Sequence, residues 1–395
     1  MSVASPRMRV TLCAERGLVT QTTARTDGFH FRYRSLLAEL KAMAELSIVL
    51  LGEPKEGLDE FRKLLSDEST IAIVPYLNPN RSRSRRALRA ARGLITADLS
   101  GWQVDLVAAV NRTEPDLVVV TALGRQSLRF AEVLARWPTL LIAEEDTSVL
   151  SGFDRPESRA GQLLFAAEDS AFHRRVPQNG AVVVISRREV EWARSYFRTS
   201  SVTVVPHAID MDYWSLGERM RSEPQAGVLA VGQFGMPRNA RGLVDVAQAL
   251  AARPAWQQRL KVISGTRPPM AQLPPFVDFL GAVDDPRAHY ASSIACLVPA
   301  FEVSGTKTTV LQGWAMECPV VATSPAAASV EGTHDVDLLS GTCPDEVADS
   351  LIELMASEAM RSRLVKGGRR ALHERHSPEG ARAAFAAVVQ ATSIR

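Results

Sequence analysis

The sequence predicts an α/β protein built from two doubly wound domains. Three observations carry that prediction: a length of 395 residues, apolar runs of roughly five residues, and amphipathic stretches between those runs. A chain this long exceeds what one hydrophobic core usually serves. Near-continuous apolar runs are what parallel strands look like when helices cover both faces of their sheet.

In chain order, RVTLCAE (Arg9–Glu15) reads as the first strand and FRYRSLLAELKAM (Phe31–Met43) as a helix. Further strands are expected at Leu46–Glu53, Ser69–Leu77, Pro115–Leu123, Pro138–Glu145, Gly180–Glu189 and Ser201–Ile209. Polarity, Pro and Gly interrupt the pattern over Asp210–Gly227, which places the linker there. The scheme then repeats, with strands expected at Gly227–Phe234, Leu260–Thr266, Phe276–Val283, Ile294–Phe301 and Cys318–Ser324. The chain closes as a helix to about Lys366, a break at Gly367–Gly368, a second helix to His376 and a last helix from about Pro378. The expected domains are 1–209 and 210–377, with the helix 378–395 packing back on the first.

A formal net charge of +2 supplies no overall field for nucleic acid. The basic residues are scattered except for RSRSRRALRAAR (Arg81–Arg92), either a solvated helix face or a contact for an anionic membrane surface or phosphorylated acceptor. Only six of the 46 basic residues are lysine, a composition typical of a GC-rich bacterial genome. The four cysteines form no CxxC pair and read as reduced core thiols of a cytoplasmic protein. The opening MSVASPRMRV lacks an apolar leader, and no uncharged apolar run is long enough to cross a membrane. The expected location is the cytoplasm, with peripheral contact at the inner membrane face through the arginine-rich stretch.

The chemistry concentrates in SGTKTTVLQGWAMECPVVATS (Ser304–Ser324). A strand ends near Phe301, a polar loop follows, and TTVLQGWAM has helical spacing with Val310, Leu311 and Trp314 on its buried side. Gly305, Thr306 and Lys307 therefore stand at a helix start, where unpaired N–H groups and the macrodipole favour an anion. Gly305 allows close backbone approach, and Lys307 adds a full charge. Such a loop suits a diphosphate; the plainer reading is a strand-loop-helix with an exposed lysine.

Six segments in order resemble the family-4 nucleotide-sugar glycosyltransferases. They are VVVISRREVEWARSYF, VTVVPHAIDMDYW, VLAVGQFGMPRNARGL, VDFLGAVDDPRAHYASSIACLVPAF, SGTKTTVLQGWAMECPVVATSPAAASVEG and RRALHERHSPEGARAAF. The resemblance runs from about Ala181 to the end; before it, only TDGFHFRYRSLLAEL and PTLLIAEEDTS are similar. It implies the GT-B fold, two Rossmann-like domains facing a central cleft, and a nucleoside diphosphate sugar held by the second domain. It also implies retention of the anomeric configuration, no metal and no cofactor.

Residue by residue, the resemblance matches Lys307 to the cation on the diphosphate, and Gly305, Thr306 and Thr308 to the backbone cradle and helix start. Gly281 and Val283 match the nucleobase contact, and Gly232 ends the first strand beside the donor. Arg238 or Arg241 matches a second diphosphate cation. Two positions depart from the family: Gln312 stands where a glutamate grips the ribose, and Ser304 where a second acid is common. Glu302 is a neighbouring substitute for that acid, and Gln312 still donates and accepts hydrogen bonds.

Cations and N–H groups placed where charge grows on the leaving phosphate would stabilise the transition state without metal. No carboxylate matches a nucleophile for double displacement, so front-face attack assisted by the leaving phosphate is expected. Gly28 and His30 are expected in a loop after the first strand, and Glu145 and Asp146 at a strand end. Gly28, Glu145 and Asp146 are the acceptor candidates, for a saccharide or small molecule, and His30 is a catalytic candidate that would orient a hydroxyl or a donor oxygen; a structural His30 and solvated acids are the plainer readings. Arg32 and Arg34 read as helix surface. The DxD triplets at Asp210–Asp212 and Asp335–Asp337 read as solvated turns, and no paired His spacing suggests zinc. The absence of GxGxxG after the first strand argues against a dehydrogenase. The competing functions are a sugar-nucleotide epimerase and a degenerate donor-binding relative.

Overall fold

The computed structural model describes residues 7–15, 19, 28–52, 57–65, 69–74, 101–122, 136–143, 180–197, 199, 201–215, 226–303 and 305–393. Arg81–Arg92, Glu145, Asp146 and Ser304 lie outside the described residues. The chain divides into two compact units, Met1–Val205 with Arg382–Arg395, and Pro206–Ala381.

The first unit contains β1 (Met8–Glu15), β2 (Ala44–Leu51), β3 (Thr70–Val74), β4 (Leu117–Ala122), β5 (Thr139–Ala143), β6 (Ala181–Val184) and β7 (Val202–Val204). They form one sheet in the order β3-β2-β1-β4-β5-β6-β7, with parallel pairing throughout. Strand β4 shows why its sequence is an unbroken apolar run. Leu117 and Val119 join the core on one face, and Val118 and Val120 the core on the other. The helices are α1 (Gly28–Met43), α2 (Leu58–Leu65), α3 (Gly101–Asn111) and α4 (Val190–Phe197). Leu37, Leu40 and Phe61 fill one face, and Leu106, Val110 and Phe197 the other. Gly28 and His30 fall in the first turn of α1. The loop expected there is shorter because the helix begins three residues before the apolar periodicity does.

The second unit contains β8 (Val228–Val231), β9 (Leu260–Ile263), β10 (Val277–Gly281), β11 (Ala295–Val298), β12 (Val320–Thr323) and β13 (Leu339–Gly341). Their order is β10-β9-β8-β11-β12-β13, again parallel. The sequence pattern showed no β13, because three residues are too few for a recognisable run. The helices are α5 (Pro237–Ala251), α6 (Arg287–Ala291), α7 (Thr308–Ala315), α8 (Ser324–Ala328), α9 (Pro344–Ala356) and α10 (Glu358–Arg375). Helices α5 and α9 cover one face through Leu243, Leu250, Val347 and Leu351. Helices α6, α7 and α10 cover the other through Tyr290, Leu311, Trp314 and Leu372. Ile209 and Trp214 belong to this second face. The last helix, α11 (Pro378–Ser393), places Phe385, Val388 and Val389 in the core of the first unit.

The break expected at Gly367–Gly368 does not occur; α10 runs through it. The glycines serve contact instead. A Cβ on Gly367 would lie 1.8 Å from the Val336 carbonyl oxygen, and one on Gly368 2.3 Å from the Trp314 indole. Trp314 in turn donates from its indole nitrogen to the Asp337 carbonyl oxygen at 2.8 Å. His376, just past α10, brings its two ring nitrogens to the carbonyl oxygens of His207 at 2.9 Å and Val330 at 3.0 Å. The start and the end of the unit are tied there.

Gly368→Ala is expected to cost roughly 1–3 kcal/mol by overpacking against Trp314, read as a lowered melting temperature. Gly265→Ala, whose added methyl meets nothing within 4 Å, should leave it within a degree or two.

Candidate functional site

A doubly wound sheet offers its ligand crevice at the carboxyl ends of the strands, where the strand order reverses. In the second unit that point lies between β8 and β11. The residues leaving those strands are Gly232 and its loop, and the segment from Pro299 to Lys307. The two are packed closely: a Cβ on Gly242 of α5 would lie 1.9 Å from the Pro299 carbonyl oxygen. The Gly232 amide donates to Ile263 at 3.1 Å, so the first loop departs directly from the ladder.

Helix α7 starts at Thr308 with Lys307 as its N-cap and no side-chain cap. Gly305 has φ +62°, a left-handed conformation that glycine adopts without strain. The Lys307 amide donates to the Ser329 hydroxyl at 3.0 Å, and that hydroxyl donates to the Ala326 carbonyl at 2.7 Å, so α8 braces the loop. The amides of Thr308 and Val310 bond within the turn, to Thr306 and Lys307. Fewer helix-start N–H groups are therefore open than the sequence suggested. A different group takes their place: the Thr306 hydroxyl is buried and has no hydrogen-bond partner among the described residues. A buried hydroxyl without a partner is costly, and a ligand oxygen would satisfy it. Glu302 is exposed.

Gln312 is buried on α7, and its Oε1 accepts a hydrogen bond from the Tyr290 hydroxyl at 3.0 Å. Burial pushes the Tyr290 phenol well above its ordinary range, so it stays a donor. The acceptor end of the amide is engaged inside the unit by Tyr290. Tyr290 escaped sequence reasoning because nothing in its own segment marks a partner twenty-two residues away.

At the position the resemblance matches to a nucleobase contact, Gly281 ends β10 with φ +79° and accepts from the Ser264 amide at 3.0 Å. Val283 leans on the core face shared with α7. Just beyond, Arg287 forks onto Asp285 at 2.7 Å and holds that carboxylate below its usual range. The Arg287 guanidinium also lies 4.2 Å from the Tyr213 ring centroid and donates to the Tyr213 carbonyl at 2.8 Å.

The alternative cations separate. The Nε and Nη1 of Arg238 are shielded from solvent. Arg241 is exposed and lines a cavity of about 570 Å³ between α5 and residues 267–272. Both DxD triplets have structural partners. Asp210 accepts from the amides of Asp212 and Tyr213, and Asp337 is buried in an ion pair with Arg375 at 2.6 Å. In the first unit, Gly28 and His30 open α1.

Residues 225–357 match the model of the family described as glycosyl transferases, group 1. The match covers about a third of the chain and falls within the second unit. Over nearly its whole length the chain is similar in structure to sucrose-phosphate synthase from Thermosynechococcus elongatus. There the TM-score is 0.69 at 14% identity, covering 98% of this chain and 99% of that one. A glycosyltransferase from Rickettsia africae gives 0.67 at 11% identity, covering 98% of each chain. Anabaena HepE in complex with UDP gives 0.68 at 12%, covering 97% of this chain and all of that one. The chain has the GT-B fold. No curated protein matches the sequence. Among the described residues, no helix of this GT-B chain is long and apolar enough to cross a membrane.

Tyr290→Phe strands the buried Gln312 oxygen and should destabilise by about 1–3 kcal/mol. Gln312→Met alone should cost a similar amount, and the double variant less than the sum of the two. Strict additivity in urea unfolding of the three variants would show that the pair does not interact.

Proposed function

We propose that the protein transfers a sugar from a nucleoside diphosphate sugar to an acceptor hydroxyl, with retention and without metal. The observation that carries this reading is the turn from β11 into α7. A left-handed glycine, a buried hydroxyl with no partner among the described residues and a lysine at an uncapped helix start converge at the carboxyl-end crevice of the unit that carries the match to group 1 glycosyl transferases. The complexes of HepE with UDP and with UDP-glucose support a uridine diphosphate donor.

In this reading the diphosphate lies against Gly305, Thr306 and Lys307, with Arg238 or Arg241 as the second cation. The Thr306 hydroxyl donates to a phosphate oxygen, and the Lys307 ammonium meets the charge that develops as the glycosidic bond breaks. Gln312 presents its Nε2 to the ribose as a neutral hydrogen bond where the family has a charge-assisted one. The base lies by Gly281 and Val283. No matched carboxylate serves as nucleophile, so the acceptor attacks on the face the phosphate leaves, and the leaving phosphate oxygen takes the acceptor proton. His30, Gly28, Glu145 and Asp146 are assigned to the acceptor, a saccharide or small molecule. Ser304 and Glu302 flank the turn. The protein works at the cytoplasmic side, with Arg81–Arg92 available to an anionic surface.

UDP titrated into the full chain should raise its melting temperature, and Lys307→Ala should weaken UDP by at least about tenfold, the loss of one charge-assisted contact. An unchanged affinity would remove the central assignment. Consumption of UDP-glucose that depends on added acceptor marks a transferase; acceptor-independent conversion of the sugar marks an epimerase; binding without turnover marks a degenerate relative.

A further inference from the structure

We infer that the second unit has another ligand site, separate from the Lys307 turn, for a small hydroxylated molecule carrying a phosphate group. The site is the cavity between α5 and residues 267–272. Its volume of about 570 Å³ falls within the roughly 300–1,000 Å³ of small-molecule pockets. Among the described residues, none of the segment 299–307 lines it.

Three charged side chains meet there. Arg241 and Asp245 come from α5, four residues apart and so on one face of the helix. Arg267 comes from the facing wall. Among the described residues, none of the three makes an ion pair or hydrogen bond. Other arginines of the unit are paired: Arg253 with Asp345 and Asp349, Arg259 with Asp278, Arg287 with Asp285. The guanidinium of Arg267 is braced by a ring instead of an acid, 5.9 Å from the Phe279 centroid.

The walls are fixed by hydrogen bonds. The Gln248 side chain of α5 donates to the Gln272 carbonyl at 3.3 Å. The Gly235 amide donates to the Thr266 hydroxyl at 3.1 Å, and the Ser264 hydroxyl to the Thr266 carbonyl at 2.7 Å. A cavity with tied walls and, among the described residues, charges without ion-pair partners is a built site.

The charge pattern selects the ligand. Two guanidiniums present more donors than the two oxygens of a carboxylate take up, and they match a phosphate. Asp245, an acceptor only, would repel a ligand that is anionic throughout and would pair with hydroxyl groups. Pro237, Pro268 and Val244 supply apolar wall for the C–H face of a ring. Assigning Arg241 to this cavity leaves Arg238 for the diphosphate. The site does not depend on the sugar-transfer reading.

Glucose 6-phosphate and glycerol 3-phosphate, titrated calorimetrically into the full chain with glucose as control, test this. At least one phosphorylated probe should bind wild type and Lys307→Ala alike, and glucose should bind at least about tenfold more weakly. Arg267→Ala should lose at least about tenfold in affinity for the probe while keeping the UDP affinity of wild type. No binding of either probe, binding indifferent to Arg267, or binding lost in Lys307→Ala would overturn the site. UDP binding by the same variants reports separately on the donor reading.

Discussion

The second unit depends on close approach of its helices to the sheet and to one another. Gly242 lets α5 press on the Pro299 carbonyl, and Gly313 lets α7 press on Val320. Gly367 and Gly368 let α10 settle on Val336 and Trp314. A methyl group at any of these would meet its neighbour well inside contact distance. The turn that carries Lys307 is braced by the Gly242–Pro299 contact just before it and from α8 by the Ser329 hydroxyl. Its geometry is thus a property of the packed unit, which is the condition for a site preorganised toward a growing charge.

The polar interior follows the same logic. Tyr290 and Gln312 satisfy each other in the core, and Asp337 is closed by Arg375 and the Thr333 amide. A carboxylate at position 312 would bury a charge beside that phenol. The amide avoids that desolvation cost. In the proposed reading its Nε2 donor meets the ribose, with a weaker grip than the usual acid would give.

Two kinds of arginine stand out in this unit. Those at 253, 259 and 375 join segments distant in the chain through carboxylates. Those at 241 and 267 line a cavity with one carboxylate between them. In sequence the two kinds are indistinguishable, since each is an arginine in a polar loop or on a helix surface. What separates them is whether an acid from another element arrives within reach.

Much of the fold was legible beforehand because apolar runs and helical spacing are local. All seven strands of the first sheet and five of the six in the second appear as such runs. The Gly305–Lys307 turn was legible for the same reason: a helix start, a glycine and a cation are adjacent in the chain. The continuity of α10 through its glycine pair was not, because glycine propensity argues for a break and only the Trp314 contact explains its presence. The Tyr290–Gln312 bond and the presence of Arg241 and Arg267 on facing walls of one cavity were not legible either. Each joins residues from different elements. The sequence by itself determined the alternation of strand and helix and the chemistry of one short turn, since both are written within a few residues. Tertiary structure alone decided which polar side chains are spent on one another and which remain for a ligand, because that depends on distances the chain sets only when it closes.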